Sequence, residues 1–260
     1  MAISQEWFSI FKEILLAYGI VFAVVVYDFK NRLGIWREIL PVSVLALLQL
    51  FLIGFVILYL VKVDKVYLNL LVILIMTFNA SLIASRRFKL KAYKRWAVLL
   101  FAFISIGAVN YLLLFLYVSW GILGLKAHML VPFAGLLVAA GMRSVSLFSQ
   151  YLHDLIERER DILEGMFALG ASPSFVRNYI LSKAIPMATV VIRDMFKAAG
   201  IVHIPGVMVG LLLAGTPPLK AAAMQFLVLA SMLFSMFFTP VLFYNLITSF
   251  RGVYLEPNGG

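Results

Sequence analysis

A chain of 260 residues that is 63% hydrophobic and only 13% charged, with a mean hydropathy of +1.02, carries more apolar surface than a soluble core of that length can hide. Its formal charge of +10 would suit a nucleic-acid surface, but basic residues flanking apolar helices are what orientation in a bilayer requires, so membrane lipid and not nucleic acid is the expected surrounding. No cysteine is present, which excludes disulfides and thiolate metal sites.

In chain order, apolar spans at about 8–27, 39–61, 66–85, 96–120, 127–148, 198–215 and 220–249 are each long enough, or nearly so, to cross a bilayer core of about 20 residues. They predict an all-α, polytopic bundle of seven helices forming a single transmembrane domain over 1–260. The first span reads as a retained helix, because Glu6 and Glu13 stand beside Lys12 and Asp28 follows in place of a small-residue cleavage site. The sixth is the weakest. Arg193, Asp194 and Lys197 precede it, and Pro205 with Gly206 interrupts it.

Cations in alternate loops predict the orientation. One set holds Lys30, Arg32, Arg37, Arg86, Arg87, Lys89, Lys91, Lys94, Arg95, Arg158, Arg160, Arg177, Lys183 and Arg251; the other holds Lys12, Lys62, Lys65, Lys126 and Lys220. Fourteen against five places the N-terminus outside and the C-terminus in the cytoplasm of a cell whose inner (plasma) membrane the chain spans.

The longest polar interval, about 153–186, is then cytoplasmic. Leu155, Ile156, Ile162, Leu163, Met166 and Phe167 recur on one helical face opposite Glu157, Arg158, Arg160, Asp161 and Glu164. Gly170 can close that helix in a left-handed conformation, Ser172 can cap the next, and Pro173 suits its first position. The pattern predicts helix, tight elbow, helix. Such an elbow could plug into a partner's groove, or be an ordinary capping loop.

Glu164, Gly165 and Met166, then Leu169-Gly170-Ala171-Ser172-Pro173, resemble the Glu-Ala-Ala, three residues, Gly motif of ABC-transporter permeases. Gly165 and Met166 replace the two alanines, and Pro186 stands later than the general motif has its proline. The resemblance implies that Glu164, Gly165, Leu169, Gly170, Ala171, Ser172 and Pro173 form a short coupling helix docking on an ATPase subunit. Further on, Asp194, Lys197, Gly200, Pro205-Gly206, Met208, Gly210, Ala214-Gly215, Pro218 and Gln225 resemble one permease family, the FetB or UPF0014 group, over roughly Pro132 to Phe250. That likeness implies an exporter of iron or a related metal.

Residues for a substrate pathway are read from physics and from departures from the family pattern. Arg193, Asp194 and Lys197 are costly at a membrane border unless paired or wetted; Asp194 and Lys197, three apart, form either an interfacial ion pair or part of a pathway. Gly206, Gly210 and Ala214 make a small-residue stripe suited to close helix approach, and the Pro205-Gly206 break could open a gate. His203 is a possible metal ligand or a histidine satisfied by a neighbour. Met208 could assist a soft metal or simply pack. Arg143, if it faced the conduit, would repel a bare cation.

No phosphate loop of the G-x-x-x-x-G-K-S/T form is present. The expected role is therefore a membrane subunit, not an enzyme, that binds no cofactor itself. Two copies would pair with two ATPase subunits that hold ATP and Mg. The alternative is a secondary transporter driven by an ion gradient through Asp194, Lys197 or His203.

Overall fold

The structure is a computed structural model that describes residues 2–90 and 93–251. Lys91, one of the cations used to predict orientation, lies outside the described residues. Ten α-helices follow one another, with no strand among the described residues. Six are long and apolar enough to cross a membrane, and a seventh crossing is available if one bent helix pair counts as a span. The chain is an all-α, multi-pass membrane protein.

By its internal packing the chain divides into two units, 1–63 and 64–260. The first is a hairpin of α1 (Ala2–Asn31) and α2 (Trp36–Val63). Its turn is fastened by Asp28, which is 3% exposed and accepts from the backbone N–H groups of Ile35 (3.2 Å) and Trp36 (2.9 Å). The carboxylate thus satisfies donors that the start of α2 leaves without a helical partner. The Phe29 and Trp36 rings meet edge to face at 6.0 Å across the same turn.

The second unit is built on α5 (Ala127–Arg158), which packs against α3 (Val66–Arg86), α4 (Arg95–Ser119), α7 (Pro173–Ala188) and α10 (Pro218–Arg251). Its core forms two layers stacked along the helices. One holds Ala84, Val98, Phe148, Leu152, Val176, Ile180 and Phe243; the other holds Ile73, Leu113, Ala134, Leu137, Met232 and Met236. Helices α3, α4, α5 and α10 each contribute to both layers, as spanning helices must.

So does the stretch from α7 through α8 (Val190–Ala198), with Val176 to Ala188 in the first layer and Ile192 in the second. This pair, bent by 42° between Ala188 and Val190, is the candidate sixth crossing, and the expected span at 198–215 is corrected. There the chain turns at Gly200 (φ +80°). The Ala198 carbonyl accepts from the N–H groups of Ile201, Val202 and His203, and the only helix is the eight-residue α9 (Gly206–Leu213). At 1.5 Å per residue eight residues rise about 12 Å, short of a hydrocarbon core of about 30 Å. The cause is local: Pro205 lacks the N–H that would continue α8 into α9, and it stands at the N-cap of α9 in extended conformation.

Candidate functional site

The predicted elbow is formed. Its first helix is shorter than expected, because His153 to Arg158 complete α5 and the chain breaks at Glu159 before α6 (Arg160–Ala168). On α6, Leu163 is fully buried and Met166 and Phe167 pack on the first core layer, while Ile162, expected on the same face, is 51% exposed. Gly170 closes the helix at φ +84°. The Gly170 N–H donates to the Phe167 carbonyl (3.0 Å) and the Ala171 N–H to that of Met166 (2.9 Å), the pattern of a glycine-closed helix end. Ser172 caps α7, its hydroxyl accepting from the Phe175 N–H at 3.3 Å, with Pro173 at the first position.

The outer surface of the elbow is open. Leu169 at its tip is 91% exposed. Glu164 is exposed and held by the Nε of Arg160 at 2.7 Å. No atom approaches within 4 Å of where side chains would stand at Gly165 and Gly170. The seven residues expected to dock run from Glu164 and Gly165 on α6 through the turn to Pro173 at the start of α7.

A brace that spacing did not reveal ties the start of α6 to α7. Glu159 accepts from the Lys183 ammonium at 2.6 Å through one carboxylate oxygen and from the Tyr179 hydroxyl at 2.7 Å through the other. The hydrogen bond from Lys183 is the main reason the Glu159 carboxyl is held below the usual carboxylate range, with Tyr179 adding to it. Glu159 and Lys183 lie 24 residues apart, a separation that no local periodicity connects.

The residues expected to line a pathway are not brought together. Arg143 is exposed on α5. Asp194 and Lys197 make the predicted pair at 3.2 Å, with both side chains mostly exposed. Arg193 reaches across the α7–α8 bend and donates to the Pro186 carbonyl at 2.6 Å. His203 is exposed in the turn, where its backbone carbonyl accepts from the Gly200 N–H. Pro205 is buried and Met208 half-buried, the Met208 N–H donating to Gln225 of α10 at 3.1 Å. Nothing approaches within 4 Å of the missing side chains of Gly206 and Gly210, and Ala214 stands at the end of α9. Among the described residues the small-residue stripe is thus open at Gly206 and Gly210. Among the described residues no group of three or more histidine, aspartate or glutamate side chains could hold a metal ion.

Polar groups instead concentrate inside the second unit. Thr77, Ser81, Ser105, Asn110, Ser144, Ser149, Ser235 and Thr239 are all almost fully buried, on four of the spanning helices. Their periodicity is submerged in apolar runs, which is why hydropathy reading passed over them.

Comparison with known proteins adds the following. Residues 11–250 match the family described as "Uncharacterised protein family (UPF0014)". The "Probable iron export permease protein FetB" of Escherichia coli strain K12 is 28% identical over 84% of this chain and 82% of its own length. The "UPF0014 membrane protein YjkA" of Bacillus subtilis strain 168 is 26% identical over 76% and 77%. "Protein ALUMINUM SENSITIVE 3" of Arabidopsis thaliana is 25% identical over 87% and 83%. No solved structure matches the chain.

Proposed function

The chain belongs to the UPF0014 family of membrane proteins, and from that membership we propose that it is the membrane-spanning subunit of an ATP-binding-cassette transporter that exports a metal, iron or a similar ion. The single observation that carries this reading is the elbow. An apolar leucine projects at the tip of a turn whose two helices are fastened to the bundle by Leu163 on one side and by Val176 and Ile180 on the other. An exposed side chain on a rigid mount is what docking into a separate subunit requires.

The same geometry supports a route of transmission. Two copies would pair, each elbow seated on an ATPase subunit that holds ATP and Mg. Closure of the ATPase pair on ATP would draw the elbows together. Because Glu159 ties α6 to Tyr179 and Lys183, displacement of the elbow is delivered to α7, through the bend to α8, and by the Met208–Gln225 bond from α9 to α10. A pathway between two copies would then switch the side it faces.

The proposed orientation puts the elbow in the cytoplasm of a cell inner membrane. With α7–α8 as the sixth crossing, Arg177, Lys183, Arg193 and Lys197 all lie within it, and the bias among the loop cations stays cytoplasmic at twelve against five.

Co-expression with a candidate ATPase subunit tests the proposal. The wild type is expected to co-purify with it and to raise its ATP hydrolysis. Gly170→Leu is expected to insert normally yet fail to raise hydrolysis. Normal metal export by that variant with its ATPase would refute the coupling role.

A further inference from the structure

No carboxylate occurs in the sequence between Asp64 and Asp154, yet the cations Arg86, Arg87, Lys89, Lys94 and Arg95 crowd the ends of α3 and α4 within that stretch. Orientation in a bilayer explains a bias of charge, but it requires no cavity, and here there is one. A cavity of about 750 Å³ lies between the end of α3 and the start of α4, and its lining includes Arg86, Lys89 and Arg95 together with Phe88, Leu90 and Val98. That volume falls in the range of about 300–1,000 Å³ in which proteins take small organic ligands.

The three cations are exposed, and among the described residues none of them forms an ion pair. A cleft lined by charge of one sign focuses the field and gathers counter-ions. The floor is apolar and fixed: Leu90 and Val98 are buried, and the Phe88 ring meets Tyr93 and Phe243 of α10 edge to face, each at 5.7 Å. Helix α4 begins at Arg95 with no side chain capping its N-terminus, so its first N–H groups and the positive end of its dipole add to the same field. Two guanidinium forks and an ammonium are the donors that suit phosphate oxygens.

From this cavity we infer a binding site for a phosphate group, supplied by the headgroup of an anionic lipid. Cations at the surface over an apolar floor match a phosphoester attached to hydrocarbon, whereas a free phosphate uses the cations alone. Trp96, the second residue of α4, is 58% exposed, as suits an indole at headgroup level. Basic pockets at the ends of spanning helices are where lipid phosphates seat. The site does not depend on the proposed transport role.

The test uses the purified full-length protein in detergent, titrated with phosphatidylglycerol, phosphatidylcholine or inorganic pyrophosphate and read by native mass spectrometry and by Tm. Phosphatidylglycerol is expected to bind and raise Tm, and net-neutral phosphatidylcholine to do neither. The joint variant Arg86→Gln, Lys89→Gln, Arg95→Gln is expected to weaken phosphatidylglycerol binding on the order of a hundredfold. An equal loss of charge at Lys65→Gln, Lys126→Gln and Lys220→Gln is expected to leave it unchanged. Pyrophosphate that binds as tightly and displaces the lipid would keep the phosphate site and overturn the lipid as its source. Lipid binding unchanged in the first variant, or weakened equally in the second, overturns the inference. So does loss of ATPase co-purification with lipid binding intact, which would make this surface a protein contact. If the joint variant does not fold, Lys89→Gln alone decides: a loss of about fivefold supports the site, and wild-type affinity overturns it.

Discussion

At Gly170 the backbone decides the chemistry. Its φ of +84° lies where a side chain costs about 1–2 kcal/mol, so Gly170→Leu is expected to reshape the turn that presents Leu169 while leaving the bundle intact. Gly165 is the opposite case. It sits in α6 in ordinary helical conformation with open space around it, so Gly165→Ala is expected to stabilise the elbow by up to about 1 kcal/mol through helix propensity. A rise in Tm, together with unchanged or tighter association with the ATPase, checks this; a fall would show that the glycine serves a close approach of the partner. Gly170, Ser172 and Pro173 were legible in the sequence because capping is local chemistry within four residues. Asp28 was read there only as evidence against cleavage, since its role of holding the Ile35 and Trp36 N–H groups depends on how the chain turns at Gly34.

The sixth crossing shows where element-level reading failed. A hydropathy window prefers 198–215 to 173–198 because the latter carries Arg177, Lys183, Arg193, Asp194 and Lys197. Those charges are tolerable in the helix pair because most are answered: Lys183 by Glu159, Arg193 by the Pro186 carbonyl, Asp194 by Lys197. Hydropathy counts charges but not partners, and two of these partners are visible only once the helices are placed. The Glu159–Tyr179–Lys183 brace carries its own prediction. Lys183→Met is expected to lower stimulated ATP hydrolysis while co-purification persists, and the exchanged pair Glu159→Lys with Lys183→Glu is expected to recover part of it. Equal loss of binding and hydrolysis would make the brace merely structural. Because the folded-state Glu159 carboxyl is held below its usual value of 4.5, its contribution is fully present above that pH and lost as pH falls through the lower folded value. Wild type and Lys183→Met should therefore differ in Tm at neutral pH and converge in strong acid.

Across the whole molecule, α7–α8 reaches both core layers, and as the candidate sixth crossing it would separate the elbow from the turn after α8. The absence of cysteine makes this directly measurable by thiol labelling. Leu169→Cys and Ile201→Cys, both at positions about 90% exposed, are expected to react with a membrane-impermeant reagent from opposite sides, Ile201→Cys from outside the cell. Labelling of both from one side alone would make α7–α8 a re-entrant pair and not a crossing. The general architecture was legible because lipid imposes long apolar runs. The residues expected to line a pathway were not, because Arg143, His203 and Gly210 stand apart and exposed in the single chain, and the proposed conduit would run between two copies. The central claim is that the elbow docks on an ATPase subunit, and a photo-crosslinker placed at Leu169 in cells that also express that subunit tests it most directly. The account predicts a covalent product containing both chains, and none from the same group placed at Ile201. An inserted, full-length protein that yields no such product at Leu169 would contradict it.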